Sequence, residues 1–565
     1  MPTSLEIAQA AELRPIGEVA RALGLLPEEV EPYGRHAAKV APAARARVSG
    51  RPQGRLVLVT AVTPTPAGEG KTTTAVGLTD ALVRLGERAA LTVRQPSLGP
   101  LFGIKGGGNG GGRAQVVPME VFNLHLTGDV HAVSAAHNLA AALVDNHLNH
   151  GNALGLEPGS ITWPRVLDVN DRVLRHAVVG LGGRQNGPLR ETQWIITAAS
   201  EVMAVLSLAE DLLDLRRRLG RIVVARRRDG RPVALEEIRA AGAMAVLLAE
   251  AVKPNLMQTL EGSPVLVHAG PFGNIAQGTS SVAADRLALG LCEWVVTEAG
   301  FGADLGVEKF VDIKSRQSGL HPAAAVLVAT VQALKLHGGA GRGEGGRRLE
   351  PALAAPDVEA VKRGCENLRR QVENVRVFGL PVVAAVNVHH TDTAPEIEAV
   401  REAALAAGAR AAVRATHFAA GGAGALDLAR AVLEAARGGP PPLALLYPDE
   451  MPLREKMETV AGRIYGADGV DFSREAAVQI AELEKLGFGR LPVCMAKTQY
   501  SFSHDPLLGP NPRGFRLPVR SARLHAGAGF VTAVTGEVQL MPGLPARPQA
   551  EAVDVDAHGR VVGLR

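Results

Sequence analysis

The residue types suited to a phosphorylated substrate gather at Thr65-Pro66-Ala67-Gly68-Glu69-Gly70-Lys71-Thr72, a Pro/Gly loop that ends in a lysine followed by hydroxyls. A lysine in that setting reaches the β- and γ-phosphates of a triphosphate, and the hydroxyl of Thr72 or Thr73 can meet Mg²⁺. Backbone N–H groups at the start of a following helix, with its positive dipole end, face the same anion. The usual pattern has glycine six residues before the lysine, where this chain has Thr65. Arg94 is a second candidate cation. It follows the strand-like Leu91-Thr92-Val93 and precedes a Pro/Gly loop, and its guanidinium fork suits a planar carboxylate or a phosphate. The tract from Gly106 to Gly112, broken only by Asn109, reads either as backbone built to approach a ligand closely or as a flexible linker. His125, Asp129, His131 and His137 fall close together. A helix would set His125 beside Asp129, but no set of three ligands has a recognised metal spacing, so structural or orienting roles are expected. Glu298 and Asp304 flank a glycine turn and suit either a cation or the cap of the next helix.

The elements that must position these groups are legible as apolar runs. The run from Leu56 to Val62 reads as a strand, and the following helix carries Ala75, Leu78, Thr79, Leu82 and Leu85 on one face and stops at Gly86. Further near-continuous apolar runs at 264–268, 294–297, 324–328 and 381–386 have the pattern of parallel strands covered on both faces. Ligands in such sheets bind beyond the C-terminal strand ends, where the phosphate loop, 298–304 and 387–393 all fall. The fold class expected is α/β: a P-loop NTPase-like parallel-sheet domain made of residues 1–150 and 236–465. An inserted smaller domain at 151–235, mostly helical and arginine-rich, and an α+β C-terminal domain at 466–565 complete the chain. The stretch 338–348 reads as a surface loop.

At 565 residues the chain is too long for one core. With 46% hydrophobic and 21% charged residues it has the composition of a globular protein. No apolar run reaches the ~18 residues that span a bilayer, and the N-terminus lacks a basic-then-apolar leader pattern. Its three cysteines, Cys292, Cys365 and Cys494, have no CxxC spacing and read as buried thiols of a reducing compartment. Cytoplasm is therefore expected, with no membrane partner. The arginine patch from Arg216 to Arg231 reads as a solvated surface. Only 3% of residues are aromatic, too few for the base-stacking platforms of a nucleic-acid binder.

Longer motifs make a family resemblance specific. They are Arg94-Gln95-Pro96-Ser97-Leu98-Gly99-Pro100, Asn123-Leu124-His125-Leu126-Thr127-Gly128-Asp129, Lys253-Pro254-Asn255-Leu256, Glu298-Ala299-Gly300-Phe301-Gly302-Ala303-Asp304, Met495-Ala496-Lys497-Thr498-Gln499-Tyr500 and Met541-Pro542-Gly543-Leu544-Pro545. Taken in order with the phosphate loop, they resemble formate–tetrahydrofolate ligases over nearly the whole chain. The resemblance implies ATP-dependent ligation of formate to tetrahydrofolate through formyl phosphate, in one-carbon metabolism. It implies Mg²⁺ with ATP, K⁺ or NH₄⁺ as a monovalent cation, a polyglutamylated folate substrate and a homotetramer. By the same resemblance Lys71 serves phosphoryl transfer, Arg94 holds formyl phosphate, and His389 and Phe418 stand where the family stacks the folate rings between a Phe and a Trp. The chain departs from the family pattern at both stacking positions and at Gln95, where glutamate is usual.

Overall fold

A computed structural model describes residues 2–564 apart from 67, 105 and 342–350. Ala67 of the phosphate loop and most of the 338–348 loop therefore lie outside the described residues. The centre is a parallel sheet of β1 (Arg55–Ala61), β2 (Ala89–Val93), β3 (Pro264–Val267), β4 (Trp294–Gly302), β5 (Pro322–Thr330), β6 (Val382–Asn387) and β7 (Ala411–Ala415). Their order across the sheet is β3-β2-β4-β1-β5-β6-β7, every neighbouring pair parallel. Beyond β3 the sheet continues antiparallel through Asn255–Thr259 to Ala38–Val40 and Val30–Pro32. The apolar runs expected to be strands are all strands of this sheet.

Both faces of the sheet are covered, and the two-residue period of the strands divides the core. Val57, Val59 and Ala61 of β1 and Ala324, Val326 and Val328 of β5 belong to one hydrophobic cluster. Leu56, Leu58, Ala325, Leu327 and Ala329 point into the other. That is why these strands read as unbroken apolar runs rather than as alternating ones. After β1 the chain builds β2, β3 and β4 on one side, then crosses to β5, β6 and β7 on the other. This reversal puts the loops after β1, β4, β5 and β6 around one crevice at the strands' C-terminal ends, where sheets of this kind hold ligands.

The helix after β1, α1 (Lys71–Arg84), begins at Gly70 and ends before Gly86, both with positive φ. The single apolar face expected for it is not what forms. Every residue from Thr74 to Leu82 is buried, because α1 is wedged between the sheet and the segment 421–435. Even Asp80 is buried, accepting a hydrogen bond from Thr259 at 2.6 Å, and burial pushes its carboxyl up to about 7. Likewise α2 (Asp129–Asn149) starts only at Asp129, capped by Gly128. His125 lies outside it and meets His131, Nδ1 to Nε2 at 2.7 Å, rather than Asp129.

The 151–235 stretch is less helical than the sequence suggests. Its α-helices are Glu201–Leu208 and Leu212–Arg221, while short strand pairs such as Val223–Arg226 with Pro232–Ala234 make up much of the rest. The arginine patch there is matched by carboxylates: Arg216 with Glu236, Arg218 with Asp214, Arg231 with Asp229, Arg226 with Glu482 and Arg227 with Glu237. Toward the C-terminus, Val493–Ala496 runs parallel to Phe530–Val534, which pairs antiparallel with Ser521–His525. The three cysteines are free and buried, as expected.

On the far side of β5, α3 (Val331–His337) and α4 (Val358–Arg376) cross at a contact made of backbone. A Cβ on Gly364 would land inside the carbonyl group of Leu334, and one on Gly338 inside that of Ala360. Gly364→Ala is expected to force α3 and α4 apart and cost about 3 kcal/mol. Scanning calorimetry should then show an earlier onset of thermal unfolding. Lys362→Ala, at an exposed position on the same helix, is the control and should leave the onset close to that of the native chain.

Candidate functional site

The 65–72 loop, the candidate for phosphate binding, is shaped by its glycines and by one carboxylate. Gly68 and Gly70 have φ of 76° and 75°, a region costly for any residue with a Cβ. The backbone N–H of Gly68 donates to the Thr65 carbonyl at 3.1 Å. Glu69 turns inward, where its carboxylate accepts from the Thr65 N–H at 2.6 Å and the Thr65 hydroxyl at 3.1 Å. Its other oxygen lies 3.4 Å from Lys71 Nζ. Glu69 thus closes the loop around Lys71.

A second carboxylate gathers the remaining groups. Glu298, midway along β4 where its regular pairing with β1 stops, accepts a 2.7 Å hydrogen bond from the Thr72 hydroxyl and lies 3.7 Å from the Arg94 guanidinium. Arg94 also donates to the Pro271 carbonyl at 3.2 Å, while its buried Nε has no protein partner among the described residues. The guanidinium passes over Gly300, where a Cβ would sit 3.2 and 3.3 Å from its two terminal nitrogens. Strand β4 makes room by losing its regular register with β1 between Glu298 and Gly302. Gln95 is buried behind Arg94, with neither side-chain amide atom partnered among the described residues.

Residues that sequence reasoning passed over hold this arrangement in place. Thr63 donates its N–H to Asn367 Oδ1 at 3.0 Å, and its hydroxyl accepts from Asn367 at 2.8 Å and Gln371 at 3.2 Å. Gln371 also donates to Asp304 at 2.8 Å, and Asp304 forms a buried ion pair with Lys497 at 3.0 Å. Asp304 is therefore committed to the scaffold, and Lys497 carries its C-terminal motif into the core. Asn387, at the end of β6, donates to the Glu69 carbonyl at 3.0 Å and to the Thr74 hydroxyl at 2.9 Å. Asn367 and Gln371 stand in an ordinary amphipathic helix with no local signal; Asn387 and Lys497 were visible only as members of motifs.

The two positions matched to a ring clamp lie on successive strand ends. His389 follows β6, is exposed, and its Nδ1 meets Thr391 Oγ1 at 2.9 Å and Gln332 Nε2 at 3.2 Å. Phe418 follows β7 and is 59% exposed. The glycine tract is ordered beneath it: the Arg113 N–H donates to the Phe418 carbonyl at 2.8 Å, and a Cβ on Gly111 would sit 3.2 Å from the Phe418 ring. The tract is a wall that admits an aromatic side chain, not a linker.

A sequence profile of formate–tetrahydrofolate ligase matches residues 2–565. The chain belongs to the formate–tetrahydrofolate ligase family. Among its relatives, the formate–tetrahydrofolate ligase of Saccharopolyspora erythraea is 57% identical over 564 residues, covering 100% of both chains. Those of Roseiflexus sp. (strain RS-1) and Paracoccus denitrificans are each 56% identical over 564 residues, again covering 100% of both chains. The family membership expected from the motifs is borne out along the full length, and among the described residues no helix is long and apolar enough to cross a membrane.

A Cβ on Gly300 would sit 3.1 Å from the Gly278 carbonyl as well as against the Arg94 guanidinium, so Gly300→Ala should push the guanidinium aside by a few tenths of an ångström without unfolding the sheet. Steady-state turnover is expected to fall about 10-fold, less than the ~10²-fold of a 1 Å misplacement, while the melting temperature stays near that of the native chain.

Proposed function

We propose that this protein ligates formate to tetrahydrofolate at the expense of ATP, yielding 10-formyltetrahydrofolate, ADP and phosphate. The observation that carries this reading is the convergence of Lys71, Thr72, Glu298 and Arg94 at one crevice in a chain of this family. A formate oxygen attacks the γ-phosphorus of ATP. A new P–O bond forms as the bond to ADP breaks, giving formyl phosphate. The N10 amine of tetrahydrofolate then attacks the formyl carbon, the C–O bond to phosphate breaks, and N10 loses a proton. Both steps concentrate negative charge, which preformed cations stabilise. Lys71 serves the β/γ-phosphates at the loop mouth. Arg94, whose terminal nitrogen nearest Glu298 makes only a loose 3.7 Å contact, holds the formate and then the planar mixed anhydride.

The Thr72 hydroxyl and the Glu298 carboxylate are hard oxygen donors already in contact, a donor set that fits Mg²⁺. Mg²⁺ bound with ATP supplies charge neutralisation on the phosphate oxygens. In the same reading, folate stacks between His389 and Phe418 with the glycine wall beneath. The enzyme acts in the cytoplasm as a homotetramer on polyglutamylated folate, and K⁺ or NH₄⁺ activates it. Light scattering tests the oligomer.

The deciding assay follows ADP release. Rapid ADP formation should require ATP, formate and tetrahydrofolate together; ADP release indifferent to formate or to folate would overturn the assignment. Lys71→Ala is expected to abolish turnover, and Arg94→Ala to lower it at least ~10²-fold while folding normally. A collapsed melting temperature with full activity per folded molecule would make Arg94 structural instead.

The clamp has its own signature in pH. Desolvation, with His390 beside it, holds the His389 imidazole below its ordinary value, so the ring is neutral at pH 7 and above. Protonation makes it a worse stacking surface, since a cation must be desolvated to meet the folate ring. The folate KM should therefore be flat from about pH 7 to 8 and rise as pH falls below ~6.5. In His389→Phe the profile should be flat throughout, with a lower KM and an unchanged ATP KM.

A further inference from the structure

The hydroxyl of Thr74, buried in the first turn of α1, is a junction between the phosphate loop and both segments of the proposed clamp. It lies 2.9 Å from the Gly70 carbonyl, 2.9 Å from Asn387 Nδ2, 3.2 Å from Asn387 Oδ1 and 3.2 Å from His417 Nε2. Three of those atoms can accept a hydrogen bond, and a hydroxyl has one proton to give. If it donates to Gly70, then Asn387 Nδ2 and a His417 Nε2–H can donate to it. If it donates to His417, the imidazole must carry its proton on Nδ1 instead. His417 Nδ1 is buried without a protein partner among the described residues, so neither tautomer is locked from the other side. Burial lowers the His417 pKa to about 4, leaving a neutral ring with a single N–H to place.

Each partner of the junction leads to a different part of the crevice. Gly70 and Glu69 form the mouth of the phosphate loop, and Asn387 Nδ2 holds the Glu69 carbonyl at 3.0 Å. Asn387 stands two residues before His389, and His417 immediately before Phe418. His417 has no slack, because a Cβ on Gly77 of α1 would sit 2.5 Å from the His417 Cβ. Phe418 in turn is pinned to the glycine wall through the Arg113 N–H. An anion in the loop acts on the backbone of Glu69 and Gly70, whose carbonyls are the ones the junction holds. Any change in their orientation is passed to Asn387 and His417 through contacts of about 3 Å.

We propose that Thr74, Asn387 and His417 couple the two substrate sites, so that ATP in the phosphate loop tightens folate binding and folate tightens ATP binding by the same factor. All three are positioning residues that touch neither substrate. The proposal rests on the functional reading above, that ATP occupies the loop and folate the crevice between His389 and Phe418. Thermodynamic linkage requires the effect to be reciprocal.

The test measures tetrahydrofolate Kd by calorimetry on the full-length protein, with and without Mg²⁺ and a non-hydrolysable ATP analogue, and the analogue Kd with and without folate. The native chain should show at least about fivefold coupling in both directions. Thr74→Val, which keeps the side-chain shape and loses the hydroxyl, should bring the coupling to within about twofold of unity. Each ligand's Kd measured alone should change by less than about threefold. Thr74→Ser should restore the coupling, a rescue that a merely structural role for the methyl group would not give. Should Thr74→Val not fold, His417→Phe, which keeps a ring against Gly77 and loses the nitrogens, is read in the same way. Native binding of both ligands without coupling, or full coupling retained in Thr74→Val or His417→Phe, overturns the junction alone. A native chain that binds neither ligand overturns the functional reading as well.

Discussion

Positive groups crowd together at the C-terminal ends of the central strands. Lys71, Arg94 and the N-terminus of α1 would repel one another across the strand ends if nothing negative lay between them. The protein sets two of its own carboxylates, Glu69 and Glu298, among them. The distances are informative: Glu69 is 3.4 Å from Lys71, and Glu298 is 3.7 Å from Arg94. Both are longer than a tight charge-assisted hydrogen bond of ~2.7–2.9 Å, and Lys71 and Arg94 keep some exposure to solvent while both carboxylates are buried. Neither cation is therefore held in an optimal, fully buried pair.

The ion pairs that build the scaffold behave oppositely. Lys39 with Asp129 and Lys314 with Asp285 meet at 2.6 Å, and Lys497 with Asp304 at 3.0 Å, all with almost no solvent exposure. Removing one partner of such a pair strands a charge in the core, so these lysines are bound to their positions. Lysine is thus used in two ways in one chain, and burial with distance separates them. Gln95 follows the same logic. A buried amide without partners costs less than a buried unpaired carboxylate would, so the departure from the family's glutamate leaves the floor behind Arg94 uncharged.

The glycine wall and the α3–α4 crossing rest on a different constraint, the absence of a side chain. Gly111 and Gly112 let Phe418 lie against backbone, Gly300 lets a guanidinium do so, and Gly364 lets two helices touch through their main chains. In each case the missing Cβ is space that another group occupies. Glycine-rich sequence alone suits a flexible linker equally well, because the chain's local freedom says nothing about what is packed on it.

By itself the sequence determined a great deal. The apolar runs specified the parallel strands, since strands covered on both faces are filled mostly by apolar side chains. The ordered motifs identified the family, and residue type and spacing singled out the 65–72 loop and Arg94 as candidates. Tertiary structure alone decided what surrounds them. Burial of α1 on all sides depends on the segment 421–435 packing over it, far away in sequence. Asp304 turned out to be scaffold because Gln371 and Lys497 reach it, and His125 turned to His131 because α2 begins too late to include it. Thr74, Asn387 and His417 carry no local signature. Their contacts exist only where three strand ends meet, and the hydrogen bonds that join residues 313 and 343 positions apart depend on sheet order rather than on any periodicity in the chain.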